Sequence, residues 1–280
     1  MSTIREFLAS PRQRLSSRRE QFLEELGLTP LWRRRGAGTG DQGSTTSGRE
    51  SEISDRAPRI ADQESADTPV LTSPAGAPER APRIARMNWI ELGGAVKSCD
   101  ACALAKTRKQ SVFGVGDEMA DWLFVGEAPG AEEDQKGEPF VGQGGKLLDN
   151  MLAAIGLKRG ENVYIANVLK CRPPNNRNPE PFEVAQCSPH LARQVELIQP
   201  KLIVALGRFA AQALLETDAT IASLRGRLHR YRGVPTIVTY HPAYLLRSMP
   251  DKAKAWADLC FARATMRDLP ALVAETRRAP

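Results

Sequence analysis

No apolar run in this 280-residue chain approaches the roughly 18 residues needed to cross a bilayer, so no membrane span is expected. The first residues, Met1-Ser-Thr-Ile-Arg-Glu, lack the apolar core of a secretory leader. Aromatic residues are scarce, at 6% of the chain, and residues 36–83 contain none at all. There are only three histidines. Without leader or span the expected compartment is the cytoplasm, where thiols stay reduced. Clustered cysteines there point to metal rather than disulfides. A strong charge excess is also missing. The net charge of +6 and pI of about 9.2 favour phosphate-rich partners only mildly and do not identify one.

What is present divides the chain into four stretches. In residues 1–35, Phe22, Leu23 and Leu26 fall at helical spacing and Gly27 is placed to cap them. Leu28, Leu31 and Trp32 follow, before Arg33-Arg34-Arg35. A segment this short cannot bury its own apolar face, so residues 14–35 either pack on the main domain or dock a partner. Residues 36–85 are rich in Gly, Ser, Thr, Pro, Ala and charge and read as a disordered linker. Residues 86–270 form the folded body, and 271–280 a tail. Strand-like runs at 122–125, 163–168, 202–206 and 236–240 alternate there with helical patterns at 144–156, 182–198, 208–216 and 251–268. That alternation predicts an α/β fold: a three-layer α/β/α sandwich around a mostly parallel four-stranded sheet.

The stretch from Gly126 to Phe140 follows the first strand and leads towards a helix near Gly144. Open α/β folds put their sites at such strand–turn–helix junctions. Pro129 and the glycines around it, Gly126 and Gly130, predict a tight backbone against which a flat ring can lie. Alone, the stretch reads equally as a surface turn with solvated acids.

Of five cysteines, Cys99 and Cys102 form Cys-x-x-Cys, while Cys171 and Cys187 arrive later through the fold. Four such ligands hold zinc or an iron–sulfur cluster, and spacing does not separate the two. Cys260, beside Leu259 and Phe261, reads as a core residue.

Strand-end positions on neighbouring parallel strands share one edge, so Glu127, Asn167 and His241 are expected to converge there, with Phe140 returning over them. An amide, an imidazole, a ring and a tight backbone suit a planar polar heterocycle. His190 and His229 read as surface residues. The segment Leu224–Gly233 alternates arginine with apolar and aromatic residues; it fits either a ribbon along phosphates or a solvated hairpin.

These residues together resemble the iron–sulfur, family 4 uracil-DNA glycosylases. The likeness covers residues 86–265. It rests on Gly126-Glu-Ala-Pro-Gly130, Pro139-Phe-Val-Gly142, Asn167-Val-Leu-Lys-Cys-Arg-Pro-Pro174, Ala205-Leu-Gly207, His241-Pro-Ala-Tyr-Leu-Leu-Arg247 and four cysteines in the family order. It implies a [4Fe-4S] cluster on Cys99, Cys102, Cys171 and Cys187. It also implies a uracil pocket of Gly126, Glu127, Ala128, Phe140, Asn167 and His241, in which Glu127, Asn167 and His241 do the chemistry. The substrate implied is uracil-containing DNA, contacted by Arg225, Arg227, Tyr244, Leu245, Leu246 and Arg247, with Leu245 or Leu246 as the inserted wedge. A related branch carries an Asp where Ala128 stands, so water activation falls to Glu127 or Glu133, and Glu127 is the preferred choice. The loop Arg172–Pro179 has no histidine to trap uracil, so turnover is expected. Residues 14–35 separately resemble the N-terminal segment of the bacterial clamp-loader psi subunit, through Arg18-Arg19 and Leu26-Gly-x-Thr…Trp32. That implies a replication or repair protein as partner. A monomer is expected.

Overall fold

Six strands line up among the described residues: β1 (Val115–Gly116), β2 (Trp122–Gly126), β3 (Val163–Asn167), β4 (Leu202–Leu206), β5 (Leu228–Tyr231) and β6 (Val234–Thr239). The computed structural model describes residues 77–276. The helices are α1 (Ala77–Ile84), α2 (Trp89–Lys97), α3 (Ala131–Lys136), α4 (Gln143–Ala154), α5 (Pro181–Ile198), α6 (Arg208–Leu215), α7 (Ile221–Leu224), α8 (Pro242–Leu245) and α9 (Met249–Thr276).

The strands form one sheet in the order β1-β3-β2-β4-β6-β5. The inner four are mutually parallel, and the two edges pair antiparallel. β2, β3 and β4 are buried along their whole length, as strands covered on both faces must be. Alternate residues feed opposite faces. Trp122, Phe124, Ile165 and Val204 pack on Leu148 and Leu152 of α4 and Leu259 and Ala262 of α9. Leu123, Val125, Ala166 and Ile203 pack on Leu191 and Val195 of α5 and Ala210 and Leu214 of α6. Helices on both faces make the expected three layers. The edge strands were not anticipated: β1 has two residues, and β5 alternates without a buried face.

Two expected boundaries move. The linker was expected to reach residue 85, yet α1 is helical and Ile84 is only 2% exposed. The Arg80 guanidinium donates to the Gln186 carbonyl at 2.7 Å and to Cys99 Sγ at 3.4 Å. Contacts with α5 and the cysteines, far along the chain, order a segment whose composition alone would leave it loose. At the other end α9 runs to Thr276, through the expected start of the tail. The expected docking segment 14–35 and the linker up to 76 lie outside the described residues. Deleting residues 1–85 is expected to lower the thermal midpoint by about 2–4 °C relative to deleting residues 1–76, the cost of one lost aliphatic side chain and its neighbours. Calorimetry on the two truncations checks this, and identical midpoints would return the boundary to residue 86.

Candidate active site

Register brings the strand ends together. Gly126 pairs with Asn167 across β2 and β3, and Leu206 with Thr239 across β4 and β6. His241 lies two residues beyond Thr239. Gly207, at φ 92°, sits so close that a Cβ there would lie 2.8 Å from His241 Cβ. A glycine is therefore required for the imidazole to occupy this edge. A Cβ on Gly126 would meet Asn167 Oδ1 at 2.4 Å and the Phe140 ring at 2.5 Å. Gly126 is thus the floor between amide and ring. Glu127, Ala128, Phe140, Asn167, His241, Tyr244 and Arg247 all line one open cavity at this edge.

Phe140 holds a strained left-handed backbone, φ 55°. Its loop is gripped from both sides. Glu133 accepts from the backbone N–H of Gly130, Val141 and Gly142 at 3.0–3.2 Å. Arg159 donates to the carbonyls of Pro139 and Phe140 at 3.1 and 2.9 Å. The Phe140 and His241 rings lie 5.5 Å apart, 29° from parallel. Behind Asn167, the buried Lys170 ammonium donates to its backbone carbonyl at 2.9 Å and to Gln194 Oε1 at 2.6 Å. Asn167 is 2% exposed and its Oδ1 has no partner in the protein. A buried acceptor left unmatched costs free energy, so this atom marks where a ligand donor belongs.

His241 Nδ1 accepts from the Ala243 N–H at 3.2 Å, which leaves Nε2 to carry the proton of the neutral ring. Burial pushes the His241 pKa down to about 4, against a smaller upward pull from Glu133. The imidazole is therefore neutral near pH 7 and a donor through Nε2. Burial pushes Glu127 up to about 7, while the Arg208 guanidinium pulls it down. Its carboxyl changes state within the working pH range.

The four cysteines line a second, smaller cavity, together with Arg108, Lys170 and His190. Donors are aimed at three of the sulfurs. Arg108 Nη1 lies 2.9 Å from Cys171 Sγ, the Lys170 N–H 3.2 Å from Cys187 Sγ, and Arg80 Nη2 3.4 Å from Cys99 Sγ. Burial raises the thiols of Cys102 and Cys171, and that of Cys187 to about 12. Sulfurs so buried become thiolates only beside a cation, and the donors around them fit thiolate ligands. Among the described residues, no three Cys, His, Asp or Glu side chains close on a point as the ligands of one ion would.

Residues 113–260 match the family model of the uracil DNA glycosylase superfamily. The type-4 uracil-DNA glycosylase of Archaeoglobus fulgidus is 53% identical over 159 residues, 54% of this chain and 79% of that protein. The chain belongs to the type-4 uracil-DNA glycosylase family. The type-4 enzyme of Pyrobaculum aerophilum is 41% identical over 181 residues, 62% of this chain and 92% of its own. That of Thermotoga maritima is 45% identical over 161 residues, 57% and 83% respectively.

Within this family frame, several expected contacts fall elsewhere. Arg225 is bound to Asp258, Nε to Oδ2 at 2.6 Å and Nη2 to Oδ1 at 2.9 Å, and its side chain is 13% exposed. It is a buried ion pair, not a free phosphate contact. Leu245 is 1% exposed and belongs to the core, whereas Leu246 is 45% exposed. Leu245 is therefore no wedge. Arg227 is exposed but lies outside the cavity, at the start of a solvated hairpin. Glu133, offered as an alternative to Glu127, spends its carboxylate on backbone N–H groups. His190, expected on the surface, is buried beside the cysteines, and burial pushes its pKa down to about 4. His229 is half-buried, its Nε2 2.7 Å from the Leu224 carbonyl. The sequence reading missed Arg208, Arg159, Arg108 and Arg80. None of the four had a local signal; Glu133 was named, and its place three residues into α3 signals its bond to the Gly130 N–H but not its grip on Val141 and Gly142.

Proposed function

We propose that this protein is a uracil-DNA glycosylase: it hydrolyses the N-glycosidic bond of uracil in DNA, releasing free uracil and leaving an abasic site for base excision repair. The observation that carries the reading is the buried, unpartnered Asn167 Oδ1 facing the floor of Gly126 and the Phe140 ring, with a neutral imidazole opposite. A uracil ring supplies the missing donor through N3–H and an acceptor, O4, for the amide nitrogen. Cytosine offers the reverse pattern at both atoms, which supports discrimination by the amide. The family membership supports the same substrate.

The base is out of reach inside a duplex and is extruded at a cost of a few kcal/mol. Phe140 stacks on the ring. His241 Nε2–H donates to O2, where charge gathers as the C1′–N1 bond breaks and its electron pair leaves with uracil. Water adds to C1′, and its proton passes to Glu127, whose carboxylate also faces the cationic sugar. Arg247 and the exposed Leu246 beside the cavity serve DNA contact. Residues 14–35 as a docking peptide for a replication or repair protein, a monomeric state and a cytoplasmic location complete the reading. A direct test is alkali cleavage of a uracil-containing oligonucleotide after incubation with the protein. Failure to produce alkali-labile sites and free uracil would overturn it.

Cys99, Cys102, Cys171 and Cys187 would hold a [4Fe-4S] cluster. The four thiols line one cavity, donors are aimed at three of their sulfurs, and the family membership supports an iron–sulfur cluster over zinc. Its role is structural, tying α2 to the segment after β3 and to α5. Purified protein is expected to be yellow-brown with about four irons per chain. Cys171→Ser is expected to lower iron content and soluble yield. A colourless, fully active protein with one zinc would exclude the cluster.

A further inference from the structure

Three of the large apolar side chains left exposed among the described residues fall within six positions of one another: Tyr244, Leu246 and Met249, at 39%, 45% and 52%. Arg247 is among them. This apolar point beside the cavity spans α8, a helix of one turn that is too short to hold its own shape, and the turn that leads from it into α9.

What holds it is a ladder of contacts running from the cavity wall to α9. The Arg225 guanidinium lies 4.5 Å over the Tyr240 ring. Tyr240 stacks on Tyr244, with centroids 5.3 Å apart and planes at 22°. The Tyr244 hydroxyl donates to Asp251 Oδ2 at 2.6 Å, and Ser248 Oγ donates to the same oxygen at 2.8 Å. Lys254 Nζ sits 2.7 Å from Asp251 Oδ1. Arg225 is itself anchored on Asp258 and on the Lys254 carbonyl at 2.6 Å. Both ends of the ladder thus reach the first turns of α9.

We propose that Tyr244 and Asp251, backed by Tyr240 and Arg225, are positioning residues for base extrusion: they brace the 242–249 loop so that Leu246 enters the duplex already ordered. The proposal rests on the glycosylase reading above. Opening a base pair costs a few kcal/mol. A loop that had to order itself at the same moment would add its own conformational entropy. Tyr240 and Tyr244 stand in the cavity wall, but Asp251, Ser248 and Arg225, which fix them, lie outside its lining, so loss of these bonds acts on the loop and not on bond cleavage.

The test compares single-turnover excision from a single strand, a U·G mismatch and a U·A pair. Extrusion is least costly for the single strand and most costly for U·A. Asp251→Ala, which deletes the acceptor, is expected to slow U·A excision by about tenfold, from the loss of a charge-assisted hydrogen bond. U·G should slow less, and the single strand not at all. Asp251→Asn keeps an acceptor for Tyr244 and should restore most of the U·A rate. Tyr244→Phe should match the U·A deficit of Asp251→Ala, and the double variant should be no slower than either single one. Equal losses on all three substrates, or none on U·A, would overturn the brace, as would a wild-type enzyme confined to single strands. A wild-type protein that excises uracil from none of them would sink the glycosylase reading instead.

Discussion

His241→Ala is expected to lower the single-turnover rate of uracil excision by about 10²-fold or more, the size of effect seen when one preorganised donor to a developing negative charge is lost. Affinity for uncleavable uracil-DNA should change little, because phosphate contacts dominate binding and lie elsewhere. The expectation rests on the local geometry. The Ala243 N–H occupies Nδ1, so Nε2 is the proton-bearing nitrogen. Burial keeps the ring neutral down to about pH 4. Folded His241 thus binds fewer protons than unfolded chain between about pH 4 and 6.5. Its contribution to stability is full above that window and falls as the pH drops through it. His241→Ala should therefore lose part of the acid sensitivity of unfolding along with the excision rate. Near-wild-type excision in this variant would remove the imidazole from the mechanism.

Glu127→Gln is expected to cost a similar 10²-fold or more, the usual contribution of a positioned general base. Here the pH profile carries the distinction. Burial raises the carboxyl to about 7 against the pull of Arg208, and the carboxylate is the active form. The wild-type single-turnover rate should rise with pH up to about 7 and level above it, and the rise should vanish in Glu127→Gln. Stability runs the other way. A carboxyl with a raised folded pKa weakens the fold as pH climbs from about 4.5 to 7, so the Gln variant should be relatively more stable at neutral pH. A variant that keeps the rise would assign the titration to another group. One that lost stability without losing rate would make Glu127 a structural residue.

The strands that carry the site were legible because each is a short, wholly apolar run with a glycine or polar break after it. Trp122 to Val125 and Leu202 to Leu206 match the observed strands almost to the residue. Helices α4, α5 and α6 were legible from their apolar spacing. Once the parallel order was inferred, Glu127, Asn167 and His241 had to share an edge, whatever the loops did. Less visible was anything decided between distant segments. Arg225 and Arg227 look alike in a run of alternating arginines. Only Asp258, 33 positions on, takes one of them out of solution. Leu245 and Leu246 are neighbours of identical chemistry, and the rotation of a single helical turn sends one into the core and leaves the other outside. His190 sits in an ordinary helical pattern, and its burial follows from the cysteine chamber against which α5 packs.

By itself the sequence determined the α/β alternation, the four-cysteine set and the three polar groups at the strand ends, because hydrophobic periodicity and residue chemistry are local properties. Tertiary structure alone decided that α1 belongs to the folded body, that Glu133 and Arg159 hold the strained Phe140 loop and that Arg225 is an ion-pair anchor. It also decided the nitrogen through which His241 donates. Each of these depends on the distance between groups far apart in the chain or on the orientation of a single turn, and neither is written in the order of residues around the group concerned.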